Sequence, residues 1–320
     1  RILSWLHFEY GLHFMPKEKL GKPDTIIVSS LSLLSIISGV IFKKRYNARL
    51  VFEVRDIWPL TLIEEGGYKK YNPFVYILGC IEKYGYKNAD AIVGTMPNLG
   101  EHVHNVLGYK KTVSCIPMGV SLEHEDTDRN YLTDYKKKYL PDNKIIVAYS
   151  GGIGISNALD VFFECASEME ENKNVHFVVI GEGPMESLYK NQYSCLKNLT
   201  FASSVKKSMV LPVLRMCDVL FFSAQKSKVW KYGQSMNKII DYMLAEKPII
   251  GSYSGFPSMI NQADCGVFVP VGDLKSLAEA ITEYAEMPED ERNAIGKRGR
   301  AWLMENQTYS LLAKKYNNIL

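Results

Sequence analysis

The chain has 320 residues, 47% of them hydrophobic and 23% charged, with a formal net charge of +3. That length accommodates two domains of ordinary size, and the composition is that of a folded globular protein rather than a disordered or fibrous one. So small a net charge carries no electrostatic footprint for nucleic acid, while a weak pull towards an anionic membrane surface remains compatible with it.

The chain opens RILSWLHFEYG, with neither a Met nor an apolar strand. The most apolar stretch comes next, Thr25 to Phe42, and it carries five Ser and a Gly. It reads as a strand, Thr25 to Ser29, and a buried helix rather than a membrane span, which needs about 20 mostly apolar residues. No secretory signal pattern is present. Further strands are expected at ARLVFEVRD, ADAIVGT and TVSCIPMG, with helical patterns at Leu33 to Lys44, Pro73 to Lys87 and Pro97 to Leu107. From Lys144 the alternation restarts. KIIVAYSGG is a strand ending in glycines, Ala158 to Glu171 a helix, and VHFVVIGEG a strand. A helix from Pro184, LTFASSV, a helix from Met209 to Cys217 and DVLFFSA come next. YGQSMNKIIDYMLAEKP, KPIIGSY, CGVFVPVGD and two or three closing helices complete the chain. Six Cys lie scattered without a C-x-x-C pair, which reads as reduced, mostly buried thiols of a cytosolic protein rather than a zinc site or a disulfide frame.

Strands rich in Val and Ile that alternate with helices point to parallel sheets covered on both faces, an α/β protein. The alternation breaks in the polar run Ser121 to Asn143, read as a linker with a short exposed helix. Two Rossmann-like domains are therefore expected: residues 1–120, a linker at 121–143, and residues 144–300. A C-terminal helix, 301–320, is a candidate to cross back to the first domain. A closed eight-stranded barrel is the rival fold, and it would have no break in mid-chain.

In open α/β sheets ligands bind beyond the carboxyl ends of the strands. Gly151, Gly152 and Gly154 come directly after the first strand of the second half, where a glycine turn brings backbone close to a ligand and leaves N–H groups for an anion. Plain strand-to-helix connections also use such turns. Glu182 lies in a second tight turn, GEGP, where Pro184 also suits an ordinary helix start. In YGQSMNK, Ser235 is placed to cap a helix. Asn237 and Lys238 then fall in its first turn, where unpaired N–H groups and the positive dipole end favour phosphate. Asp241 shares their face, and a carboxylate there suits a ribose diol; the plainer alternative is a surface Lys–Asp pair. In the first half, FEVRDIWP places Arg55, Asp56 and Trp58 just after a strand, either at a site or as an Arg–Asp pair with Trp filling the core. Of the six His, only His102 and His104 stand two apart, and on a helix they do not share a face.

These segments resemble the retaining glycosyltransferases of family 4, which have the GT-B fold of two Rossmann-like domains facing across a cleft. PDTIIVSS, FEVRDIWP, IEKYGYKNADAIVGT and IPMGV look like the acceptor-side domain and hinge. AYSGGIG, FVVIGEGP, LTFASSV, DVLFFSA, YGQSMNKIIDYMLAEKPII and CGVFVPVGD look like the domain that binds the donor nucleotide sugar. The pairing of FEVRDIWP with an Asn-Lys at the helix entry is similar to the WbuB-like enzymes of O-antigen and capsule assembly.

The resemblance implies sugar transfer from a nucleotide-diphosphate sugar, UDP favoured, to a lipid-linked or polysaccharide acceptor with retention of configuration. In the family's E-x7-E signature the second acid meets the ribose; Asp241 holds that place, while Gly233 stands where the first acid would be. Asn237 and Lys238 are implied at the diphosphate and Val205 near the base. Arg55 and Asp56, with Lys238, are the implied catalytic candidates, Trp58 standing beside them on the acceptor side. The Gly turn, the helix entry and Lys238 can replace a metal, so neither metal nor cofactor is expected. A cytoplasmic protein, peripheral at the inner membrane face through KKRY (Lys43 to Tyr46) and KRGRAWL (Lys297 to Leu303), would suit such an acceptor. Family members open with a strand and a Gly-rich turn, so about 70 to 100 residues of the first domain are expected to be missing. The alternatives are an isomerase like the UDP-sugar 2-epimerases and a non-catalytic protein that binds a nucleotide sugar.

Overall fold

The computed structural model describes residues 2–14, 21–121 and 128–320. His124 and the first part of the polar linker lie outside the described residues. The chain forms two compact units: Arg1–Gly119 with Ser227–Ser235 and Tyr309–Leu320, and Val120–Lys226 with Met236–Thr308.

Unit 1 holds α1 (Ile2–Phe14), β1 (Thr25–Ser29), α2 (Ser35–Tyr46), β2 (Arg49–Val54), α3 (Leu60–Glu64), α4 (Pro73–Asn88), β3 (Ala91–Gly94), α5 (Leu99–Leu107) and β4 (Val113–Cys115). Its four strands are all parallel, in the order β1-β2-β3-β4. Local chemistry sets the helix ends. Asn72 caps α4 by accepting from the Phe74 N–H at 2.9 Å, with Pro73 at the first helical position. α2 stops at Asn47, which adopts a left-handed conformation. The core gathers Ile36, Leu50, Phe52, Leu78 and Val103, and it includes Val229 and Tyr232 from the segment Ser227–Ser235.

Unit 2 holds α6 (Arg129–Tyr139), β5 (Ile145–Ser150), α7 (Asp160–Glu168), β6 (Val175–Ile180), α8 (Glu186–Tyr193), β7 (Leu199–Ala202), α9 (Lys207–Arg215), β8 (Val219–Ser223), α10 (Asn237–Leu244), β9 (Ile249–Ser252), α11 (Met259–Ala263), β10 (Gly266–Val269), α12 (Leu274–Glu286) and α13 (Glu289–Asn306). The closing helix α14 (Tyr309–Asn317) belongs to unit 1. The six strands are parallel in the order β10-β9-β8-β5-β6-β7. This is the doubly wound order, in which the connections reverse direction between β5 and β8. β6 is buried along its whole length, as a central parallel strand should be. Phe162 of α7 stacks on Phe221 of β8 with centroids 4.9 Å apart, fixing helix to sheet where the strands switch.

Two open parallel sheets replace the rival closed barrel. Two other expectations are corrected, and a stretch left without an element proves helical. The opening stretch, which offers no strand, is the helix α1, in which Ser4, His7 and Glu9 are dispersed among apolar residues and leave no amphipathic period. Only Cys165, Cys217 and Cys265 are buried; Cys80, Cys115 and Cys195 are exposed. The short helix of the polar linker is integral to unit 2: Asp128 caps α6, and the buried Tyr135 donates its hydroxyl to the Ser203 carbonyl at 3.1 Å.

Candidate functional site

At the switch between β5 and β8 the turns leaving the strands are free to meet a ligand. After β5, Gly151 takes φ +146, which a side chain rarely adopts. The turn after β6 packs directly on it. A Cβ on Gly181, itself at φ +147, would lie 2.0 Å from the Gly151 carbonyl oxygen. The Gly151 N–H donates to Ile180 O at 3.0 Å and the Ile153 N–H to Glu182 O at 2.9 Å. Two of the four amides of this turn are thus used in holding it. Among the described residues those of Gly152 and Gly154 have no protein acceptor.

Lys238, in the first turn of α10, reaches under this turn. A Cβ on Gly151 would stand 3.5 Å from its Nζ. The ammonium donates to Asn157 Oδ1 at 2.6 Å and to the Tyr149 hydroxyl at 3.0 Å. It also lies 4.5 Å from the Tyr149 ring centroid. Asn157 is the hub of the arrangement. Its Nδ2 donates to Gly152 O at 2.9 Å, and its carbonyl accepts from Ser223 Oγ, at the end of β8, at 2.6 Å. Tyr149 donates its own hydroxyl to Gly152 O at 2.7 Å. Fully buried Tyr242 of α10 ties the two strand ends together. Its hydroxyl accepts from Ser150 N–H at 2.8 Å and has Phe221 O at 3.0 Å as an acceptor.

All of Lys238's partners are neutral, and among the described residues no carboxylate pairs with it. Burial lowers its pKa to about 8. A cation held at the first turn of a helix, beneath free glycine amides and without a counter-charge, has the chemistry to receive an anion. Asn237 is exposed on the same turn. Asp241 also keeps an exposed side chain; desolvation raises its pKa, partly offset by Lys207. The surface Lys–Asp pair is therefore not formed, because Lys238 turns inward to Tyr149 and Asn157. Glu182 is exposed, and Val205 is half-buried between β7 and α9.

Ser235 does not cap α10. The N-cap is Met236, which makes no side-chain cap bond, and the Ser235 hydroxyl is buried without a partner among the described residues. The chain is still held in unit 1 at Ser235, so the helix begins two residues later, at Asn237.

In unit 1, Arg55 and Asp56 come directly after β2 and are exposed. The Arg–Asp pair, the plainer of the two alternatives, is replaced by an Arg55–Glu53 pair at 2.7 Å. Ser30 fixes the bend: its hydroxyl accepts from the Arg55 N–H at 2.9 Å and lies 3.3 Å from both the N–H and the carbonyl of Asp56. Desolvation raises the pKa of Asp56. The same is true of Glu65, whose pKa the Asp56 charge raises further. Trp58 packs against the unit 1 core, edge-on to Trp5. Lys228 and Lys231 pair with Glu64 and Glu101. Among the described residues no three His, Cys, Asp or Glu side chains gather as a metal site. No helix among them is long and apolar enough to cross a membrane.

Tyr149, Asn157 and Tyr242 carry no signal in the sequence that marks them as site residues. Tyr149 lies within an apolar strand and Tyr242 on the apolar face of α10, so both pass for core. Asn157 stands near enough to the glycine turn to be flagged by position alone.

Residues 144–287 match the family described as Glycosyl transferases group 1. Searching curated proteins gives no match to the chain. Solved structures with the same fold include sucrose-phosphate synthase from Thermosynechococcus elongatus, at 17% identity over 92% of this chain and 72% of that one, with a TM-score of 0.71. The Anabaena protein HepE in complex with UDP aligns at 11% identity over 97% of this chain and 79% of that one, with a TM-score of 0.72. WaaG, a glycosyltransferase involved in lipopolysaccharide biosynthesis, aligns at 15% identity over 87% and 79%, with a TM-score of 0.63. Each aligned pair is an α/β protein of the GT-B type, and at these identities the likeness is one of fold.

Proposed function

We propose that the chain is a glycosyltransferase that moves a sugar from a nucleotide-diphosphate sugar, with UDP as the nucleotide, to a lipid-linked glycan acceptor with retention of configuration. The observation that carries this reading is Lys238, an uncompensated cation at the first turn of α10 beneath the Gly151–Gly154 turn, at the switch point of the unit 2 sheet. The match of residues 144–287 to the group 1 glycosyl transferases supports it, as does a UDP complex among the fold relatives.

The difficult step in such a transfer is departure of the nucleotide diphosphate. Negative charge growing on its phosphates would meet Lys238, the amides of Gly152 and Gly154 and the α10 N-terminus, all fixed beforehand by Asn157 and Tyr149. Asp241 is assigned to the ribose hydroxyls, with Asn237 beside the diphosphate and Val205 near the base. In unit 1, Arg55, Asp56 and Trp58 are the acceptor-side candidates, and the raised pKa of Asp56 suits a group that exchanges a proton. The acceptor and the WbuB-like role in O-antigen or capsule assembly rest on the sequence resemblance. Peripheral attachment at the inner membrane face would bring such an acceptor within reach.

The test is a titration of UDP and GDP against the wild type and Asp241→Ala. The reading expects UDP to be preferred, with a loss of about tenfold or more in the variant, worth about 1.4 kcal/mol. A folded wild-type chain that binds neither nucleotide overturns it. Product analysis with a nucleotide sugar then separates a new glycoside from an epimerised donor.

A further inference from the structure

Between β5 and α7, within unit 2, the chain makes a short 3-10 turn, Ile155–Asn157. The turn is fastened to its own start and to the end of β8. The Asn157 N–H donates to Gly154 O at 3.0 Å, Ser223 Oγ donates to Asn157 O at 2.6 Å, and Gln225 Nε2 donates to Ile155 O at 2.7 Å. It closes at Ala158, held at φ +43, in the left-handed region that residues with a side chain enter only at a cost. Strain of this kind persists where the surroundings impose it. The side chain that the strained turn holds in place is that of Asn157.

The two ends of the Asn157 amide face partners of opposite kind. Oδ1 accepts from the Lys238 ammonium at 2.6 Å, and Nδ2 donates to Gly152 O at 2.9 Å. An ammonium only donates and a carbonyl only accepts, so the amide has a single satisfied orientation. A carboxylate of the same shape would fail on both counts. It would set an oxygen against the Gly152 carbonyl, and it would cancel the Lys238 charge. A bare methyl would leave the ammonium with the Tyr149 hydroxyl and ring. Gly152 O takes a second donor, the Tyr149 hydroxyl at 2.7 Å, so an acceptor that would repel an anion at this turn is fully engaged. The titratable groups around the ammonium add no charge. Tyr149 of β5 and Tyr242 of α10 stay neutral because burial raises their pKa, and Asp241 of α10 has Lys207 of α9 as its charged neighbour.

The geometry points to Asn157 as a positioning residue: its neutral amide holds the Lys238 ammonium against the glycine turn and leaves the charge whole for a diphosphate. The inference rests on the reading of Lys238 as the diphosphate cation. It goes further in making the neutrality of residue 157, and not its size alone, a condition for binding.

The experiment compares wild type, Asn157→Asp and Asn157→Ala. The Lys238 side chain is followed by NMR in isotope-labelled protein, and UDP and uridine are titrated between about pH 7 and 9.5. Asn157→Asp should move the Lys238 titration upward by about one pH unit or more, since a facing carboxylate favours the charged form, and Asn157→Ala should move it downward, since an acceptor is lost. Although Asn157→Asp keeps the lysine charged, it should weaken UDP by about tenfold or more at neutral pH, because its carboxylate competes with the diphosphate. Asn157→Ala should weaken UDP by about fivefold or more, and both variants should leave uridine within about twofold, since only the diphosphate meets the ammonium. The pH at which UDP affinity falls should follow the Lys238 titration in each variant. A residue that merely shapes the turn would weaken UDP and uridine alike and leave the Lys238 titration where it is; that result overturns the proposal. UDP affinity within about twofold of wild type in a folded Asn157→Asp overturns it too. Should Asn157→Ala fail to fold, the nearly isosteric Asn157→Asp decides alone. If wild type binds no UDP, the donor-site reading falls, while the Lys238 titrations still decide whether Asn157 holds the ammonium.

Discussion

The Lys238 ammonium and the Tyr149 side chain meet twice: hydroxyl to Nζ at 3.0 Å, and ring centroid to Nζ at 4.5 Å. An aromatic face and a neutral hydroxyl steady a cation without cancelling its charge. That leaves Lys238 expensive for the unliganded fold and valuable to an anion. Its pKa is about 8 in the fold against an ordinary 10.5, so the cost of holding it protonated is fully present below pH 8 and disappears as pH rises towards 10.5. Lys238→Met removes that cost. The variant should melt at a higher temperature than wild type at pH 7 while losing UDP affinity by about a hundredfold, an exchange of stability for function. A lower melting temperature with unchanged UDP affinity would contradict both halves.

The same lysine sets a pH dependence. On the proposed reading UDP is bound by the protonated form, and above pH 8 the free protein carries Lys238 increasingly neutral. Affinity should therefore hold level just below pH 8 and fall as pH rises beyond it, approaching about tenfold per unit if one proton is taken up on binding. Isothermal titration between about pH 7.5 and 9.5 in buffers of different ionisation enthalpy checks both the slope and the proton count. Lys238→Met should flatten the profile.

Tyr242→Phe probes the tie between the strand ends. Removing the hydroxyl leaves the Ser150 N–H without its acceptor in the buried switch region and takes a donor from Phe221 O. The loss expected is about 1–3 kcal/mol of stability by urea unfolding, the cost of a buried group left unpaired. Indistinguishable unfolding midpoints would show that the tie contributes nothing.

Two glycines of the site separate shape from freedom. Gly181→Ala places a methyl 2.0 Å from the Gly151 carbonyl at φ +147, so the β5 turn must move. It should cost more than about 2 kcal/mol and weaken UDP binding. Around Gly152 a Cβ meets nothing within 4 Å, and Gly152→Ala should stay within about 0.5 kcal/mol of wild type. Equal stability of the two variants would refute the packing of one turn on the other.

Much of the architecture is legible in the sequence because strand and helix periods are local. Short Val- and Ile-rich runs carry the parallel α/β reading, and the Gly151 and Gly181 turns stand where those runs end. Lys238 is visible as a basic residue at a helix entry. Its surroundings are not. Tyr149 and Tyr242 carry their polar atoms at the ends of rings that a strand or an apolar helix face would bury in any case, so periodicity assigns them to the core. The true start of α10 is hidden because Ser235 has the chemistry of a cap. Its chain direction, however, is set by Gly233 against Pro97, a contact between residues far apart in sequence. Val229 and Tyr232 lie in a five-residue 3-10 turn, too short to show any period, and they are buried in a core whose other buried members run from Val28 to Leu107.

Because unit 1 is assembled from three stretches of chain and unit 2 from two, neither can be released as a single uninterrupted fragment. A protease that cuts within residues 120–128 separates no unit from the other, since the backbone still joins them at 226–227, 235–236 and 308–309. A gene fragment encoding residues 1–119 lacks Val229, Tyr232 and the helix α14, whose Tyr316 hydroxyl donates to Glu53 at 3.1 Å. Anyone dissecting this protein by truncation would be removing pieces of a core rather than dividing two modules. The two units are inherited, expressed and lost together.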